Sequence, residues 1–172
     1  SNMYGSYRAV RLMHAFHLDL LTRFPLCKKP VLFGFSRGGL YAFNYALFYP
    51  EYVDKVYLDA PVLDLKSWPR PTVDTGEYKE MLEEYCLTSE TLKNFKGCPV
   101  DNFKEFFSHK IPLLVVAGGA DEVVRFEDNS KKLIDYAIKN GENIKYFIKP
   151  ECGHHPHSLE DVTEIVNFAE KV

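Results

Sequence analysis

At 172 residues, 46% hydrophobic and 26% charged, the chain is long enough to bury one proper core and is expected to form a single domain. A net charge of −3 and a pI near 6.1 exclude the basic footprint that nucleic-acid binding requires. No apolar run approaches the ~18 residues of a membrane span, and the compartment is left open.

Ser1-Asn2 ahead of Met3 reads as a cleavage remnant and is set aside. From Tyr7 to Phe24, apolar residues at 9, 10, 12, 13, 16, 20, 21 and 24 recur at helical spacing and predict a helix near 6–24. Val31-Leu32-Phe33 predicts a strand over 31–34, and the small and apolar residues after Gly38 predict a buried helix over 38–48, stopped by Pro50. A second strand is expected at 55–59. Residues 61–110 then carry no strand signal, only prolines at 61, 69, 71 and 99 and charged helical pieces such as Glu77 to Tyr85. Leu113 to Ala117 predicts the third strand and Ile144 to Ile148 the fourth. Helices are expected near 127–139, with Leu133, Ile134, Ala137 and Ile138 on one face and Gly141 at the C-cap, and near 158–171, with Val162, Ile165, Val166 and Ala169 aligned. Apolar strands separated by helices argue for an α/β fold with about four parallel strands covered by helices.

The chemistry concentrates in three loops, each just past a strand's carboxyl end, where open α/β sheets hold their ligands. Gly34-Phe35-Ser36-Arg37-Gly38-Gly39 places a serine at the tip of a strand–turn–helix elbow. The glycines two residues before and after Ser36 are expected to be required because a side chain at either would strike the neighbouring strand or helix. A serine hydroxyl is a poor nucleophile until an imidazole takes its proton and a carboxylate holds that imidazole in the right tautomer. Asp121, after Gly118-Gly119-Ala120, and Asp59, ending the second strand, are the candidate acids. His154, His155 and His157 follow the fourth strand within Cys152-Gly153-His154-His155-Pro156-His157. Spacing also permits a metal at Cys152, His154 and His157, but no second cluster supplies further ligands, so metal and cofactor are both read as none. His14, His17 and His109 are read as structural. The cysteines at 27, 86, 98 and 152 form no C-x-x-C pair and read as free thiols.

Nucleophile, acid and histidine in that order, on Gly34-Phe35-Ser36-Arg37-Gly38-Gly39, Gly118-Gly119-Ala120-Asp121 and Gly153-His154, resemble the serine-hydrolase branch of the α/β-hydrolase superfamily. The resemblance implies Ser36, Asp121 and His154 as the catalytic residues, since the family's histidine usually follows a glycine. His155 is the alternative base, and Asp59 occupies a position that some lipase-like members use for their acid. His157 is expected to cap or contact the last helix. The resemblance also implies the Arg37 N–H as one oxyanion donor, residues 61–110 as a lid or cap, and Phe35 and Trp68 as substrate-lining aromatics. The Arg37 side chain either orients an anionic substrate group or pairs with Asp59 or Asp64.

The match is to the carboxyl-terminal two-thirds of such a fold, with the first four strands absent, and with them the loop that donates the other oxyanion N–H. The expected activity is hydrolysis of a small-molecule ester, less so an amide, through an acyl-enzyme. The rival expectation is an impaired hydrolase fragment or interaction module. Val31 to Gly34 is expected to be an unsatisfied strand edge, whose partner is a second copy in a homodimer or the missing amino-terminal part of the same fold.

Overall fold

The computed structural model describes residues 2–71 and 76–170. Four parallel strands, β1 (Val31–Phe35), β2 (Lys55–Asp59), β3 (Leu113–Gly118) and β4 (Ile144–Lys149), lie side by side in chain order. Such an order needs a crossover between each pair, and helical segments supply all three. The first crossover is α2 (Gly38–Phe48); α6 (Ser130–Asn140) makes the last. The middle one is the long run from β2 to β3, which holds α3 (Glu77–Glu84), α4 (Ser89–Asn94) and α5 (Phe103–Ser108) and, among the described residues, no strand.

Strand alternation divides the sheet between two unequal layers. Val56, Leu58, Leu113 and Val115 face a core shared with α2, α5 and α6, where Phe43 stacks on Phe106 at 4.4 Å. Tyr57, Leu114 and Val116 face the other way, onto Ile165 and Phe168 of α7 (Thr163–Glu170). The amino-terminal helix, α1 (Tyr7–Arg23), is started by the Ser6 hydroxyl, which accepts from the Ala9 N–H at 3.1 Å, and packs against α2. A satellite cluster gathers Met81, Leu92 and Cys98 from the β2–β3 connection around Tyr4, Leu40, Val62 and Val124. Phe103, Phe106 and Phe107 of α5 instead belong to the main core.

Two helices start later than periodicity predicts, each for a local reason. Over 127–139 the helix begins only at Ser130, after a 3₁₀ turn at Phe126–Asp128. Asn129 is drawn out of helical geometry because its side-chain oxygen accepts from the Leu63 and Asp64 N–H groups, at 2.8 and 3.0 Å. Over 158–171 the helix begins at Thr163, because the Ser158 N–H is committed to the Asp59 carboxylate and the Asp161 carboxylate accepts from Thr163 N–H at 2.9 Å. Residue 171 lies outside the described residues. The four cysteines are free thiols, and no helix among the described residues is long and apolar enough to cross a membrane.

Candidate active site

The elbow is held by backbone. Ser36 sits at φ +50°, a region that costs a non-glycine residue energy and persists only where neighbours fix it. Its N–H donates to Asp59 O, and its own carbonyl accepts from Gly39 N–H and Val62 N–H, all at 2.9 Å. Gly34 is required as expected: a Cβ there would lie 2.9 Å from the Ala42 Cβ and the Gly38 carbonyl. Gly38 is not, because a Cβ would meet nothing within 4 Å. The constrained residue on that side is Gly39, where a Cβ would fall 2.4 Å from Pro61. The elbow is thus pressed against α2 on its Gly34 side and against the chain leaving β2 on its Gly39 side.

Asp121 and His154 are brought to Ser36 by two interlocked loops. Gly119 N–H donates to Lys149 O at 2.9 Å and Ala120 N–H to Cys152 O at 3.0 Å, so the loop after β3 is stitched to the loop after β4. They approach so closely that a Cβ on Gly118 would stand 2.2 Å from Gly153 O. Asp121 Oδ1 accepts from Val123 and Val124 N–H, both at 2.9 Å, which aims Oδ2 at His154 Nδ1, 2.7 Å away. His154 Nε2 lies 3.0 Å from Ser36 Oγ. A carboxylate can only accept, so His154 carries its proton on Nδ1 and presents the Nε2 lone pair to the serine hydroxyl. Both side chains are buried, His154 at 8% and Asp121 at 2% exposure. The arrangement can transfer a proton from Ser36 Oγ to Nε2 and stabilise the imidazolium that results.

The other candidates fall elsewhere. His155 is exposed. Asp59 does not reach His154. Its buried carboxylate accepts from Tyr57 OH and Ser158 N–H, both at 2.6 Å, and meets His157 Nδ1 at 2.9 Å. His157 is therefore held to the end of β2 and not, as its position in the sequence suggests, to the last helix. Arg37 pairs with neither Asp59 nor Asp64. Its guanidinium lies 3.7 Å from Glu77 on α3 and over the Tyr4 ring, while Asp64 binds Lys132 at 3.0 Å. Trp68 packs into the satellite cluster, 6.2 Å from the Tyr4 ring centroid. Phe35 points to the α7 side of the sheet, against Tyr57 and His157. His14 and His17 both bond the Tyr45 hydroxyl.

The Asp59–His157 pair is the feature that sequence reasoning missed. The structure aligns Phe35 with Asp59 in the β1–β2 pair, which sets Asp59 directly beside the elbow. Burial and the Asp59 carboxylate raise the Tyr57 phenol far above its ordinary range, so it stays a donor to that carboxylate. Among the described residues, the metal-ligating atoms of His154, His155 and His157 lie within 4.8 Å of one another, a set that does not include Cys152.

Comparison with known proteins follows the same lines. The α/β hydrolase fold family matches residues 13–85, which include Ser36 but stop short of Asp121 and His154. No curated protein matches the chain. Among solved structures, dipeptidyl peptidase 4 of Porphyromonas gingivalis superposes with a TM-score of 0.58 at 16% identity. That likeness, which is one of fold, covers 80% of this chain, and the chain spans 18% of that protein's length. The sheet, the elbow and these matches relate the chain to the α/β-hydrolase superfamily, of whose fold it carries a four-stranded part.

Proposed function

We propose that this chain is a serine hydrolase that cleaves a small-molecule ester through an acyl-enzyme. The observation that carries the reading is the continuous line from Asp121 through His154 to Ser36, at 2.7 and 3.0 Å. Ser36 Oγ attacks the ester carbonyl as its proton passes to His154 Nε2. The developing oxyanion is met by the Arg37 N–H at the start of α2. Collapse expels the alcohol, which takes the proton from His154. Water, deprotonated by the same nitrogen, then attacks the acyl-enzyme and releases the acid. The connection from 61 to 110, apart from α5, whose Phe103, Phe106 and Phe107 lie in the main core, serves as the lid over this site. An ester is preferred to a peptide because the sequence carries no signal of peptide recognition.

A second reading, an impaired hydrolase that is acylated but turns over slowly, is favoured by one observation. β1 ends the sheet with its outer edge unpaired among the described residues, next to the only oxyanion donor assigned. Loss of one such donor costs roughly 10² to 10³ in rate. Reaction with a fluorophosphonate, followed by intact mass, tests the first reading. One adduct per chain is expected on Ser36, lost in Ser36→Ala and slowed at least ~100-fold in His154→Ala. Labelling that survives Ser36→Ala, or that depends on His155 in place of His154, overturns the assignment. Rapid labelling with negligible turnover of p-nitrophenyl esters selects the second reading.

A further inference from the structure

The histidine loop holds more imidazole than proton transfer needs. Besides His154 it presents His155 and His157, and the three ring centroids lie 4.7 to 5.1 Å apart. Two of these rings are anchored in the same way. His154 meets buried Asp121 through Nδ1, and His157 meets buried Asp59 through Nδ1, which leaves the lone pair of each on Nε2, that of His154 facing the Ser36 hydroxyl. A carboxylate behind a histidine is the arrangement that orients metal-ligating imidazoles and raises their basicity. The frame carrying them is itself braced, since Lys149 Nζ donates to Pro156 O at 2.6 Å and to Ser158 O at 2.8 Å. The third ring, His155, is exposed and open to solvent.

From this we infer that His154, His155 and His157 form an inhibitory site for a borderline transition-metal ion of the Zn²⁺ class, which imidazole suits. The inference rests on the hydrolase reading for its inhibitory part alone. With Zn–N distances of about 2.0–2.1 Å, tetrahedral ligand nitrogens stand about 3.4 Å apart, so the three rings, which bring one nitrogen each within 4.8 Å of one another, must draw together on binding. The exposed His155 supplies its part by side-chain rotation, and the His154–His157 pair by tilting of the two rings about their Nδ1 anchors. Coordination takes the Nε2 lone pair of His154, so the Ser36 hydroxyl keeps its proton and attack stops. Nothing is oxidised or reduced, and the fourth ligand is water. Removing the metal restores the lone pair.

Zinc titration by calorimetry, on tag-free protein in a non-chelating buffer, tests the site without reference to activity. One Zn²⁺ per chain is expected, in wild type and equally in Ser36→Ala. His155→Ala, at an exposed position that folding does not depend on, is expected to weaken binding at least tenfold. Fluorophosphonate labelling of wild type should slow tenfold or more in saturating Zn²⁺. In His155→Ala the ratio of rates with and without the same Zn²⁺ should rise towards one. Absence of stoichiometric binding, or binding indifferent to His155→Ala, overturns the site. Binding without slowed labelling overturns the inhibitory role. If wild type is not labelled even without metal, the hydrolase reading fails and the inhibitory role with it, while calorimetry still decides the site.

Discussion

Three glycines around the nucleophile separate backbone need from mere motif. Gly39 has no room for a methyl group, because Pro61 lies 2.4 Å from where its Cβ would stand. Gly38 opens on empty space at the first turn of α2. Gly39→Ala is therefore expected to cost about 1–3 kcal/mol, as overpacking does. Gly38→Ala should be neutral, or should raise stability by about 0.5 kcal/mol through the unfolded chain. Urea unfolding of the two variants checks this, and equal losses would show that the motif glycine has a packing role. At this scale much of the site was legible. Ser36, Asp121 and His154 each follow a strand that its apolar run locates, and the preference for His154 over His155 came from the family resemblance at Gly153-His154. The Asp59–His157 pair was not legible, because it depends on two segments 98 residues apart in sequence meeting across the sheet's carboxyl edge.

Elements were read well where one face is apolar and poorly where a side chain recruits the backbone. The four strands stand within a residue of their expected ends: β2 and β3 are buried apolar runs, and β1 and β4, although partly exposed, are short apolar stretches of the same kind. The start of α6 was missed because Asn129 serves two N–H groups of the β2–β3 connection, a tertiary demand that helix spacing does not contain. That connection carries its own titration behaviour. Burial pushes the Cys98 thiol up to about 12 and raises the Tyr85 phenol well above 10.0. Both groups are held neutral in the folded chain, so their contribution is complete below the unfolded values near 9.0 and 10.0 and is lost as pH rises beyond them. The urea midpoint is expected to fall between pH 8 and pH 10.5. At pH 8 a thiol reagent should modify the exposed Cys27 and Cys86 quickly and leave Cys98 untouched until unfolding. Early modification of Cys98 would show that the connection opens readily.

Over the whole molecule, both terminal strands of the sheet, β1 and β4, keep an unpaired outer edge among the described residues, and the β1 edge is the one that adjoins an apolar groove. Phe33 and Phe35 remain 47% and 43% exposed on β1. Around the corner, Met13, Phe16, Leu20, Leu26 and Leu32 line an apolar groove of about 380 Å³ between α1 and that strand. An open edge beside apolar surface is a template for pairing with another chain. We propose that the chain self-associates through it, a twofold dimer being the commonest closed form. Light scattering after size exclusion at micromolar concentration should show a species heavier than the 19.9 kDa chain. A clean species of that mass that melts cooperatively would show that the edge protects itself.

The stitching of the two loops has a consequence for how the site comes apart. Because the Gly119 and Ala120 N–H groups end on carbonyls at 149 and 152, the carboxylate and the imidazole ride on one local-unfolding unit. Their amides should exchange with deuterium at a common rate, governed by a single opening free energy. The serine is tethered separately, its N–H ending on the Asp59 carbonyl within the sheet. Mild denaturant should thus release acid and base together while the nucleophile amide stays protected, and mass-resolved exchange would register this as two steps. Exchange of all three at one rate would mean that the site melts only with the sheet.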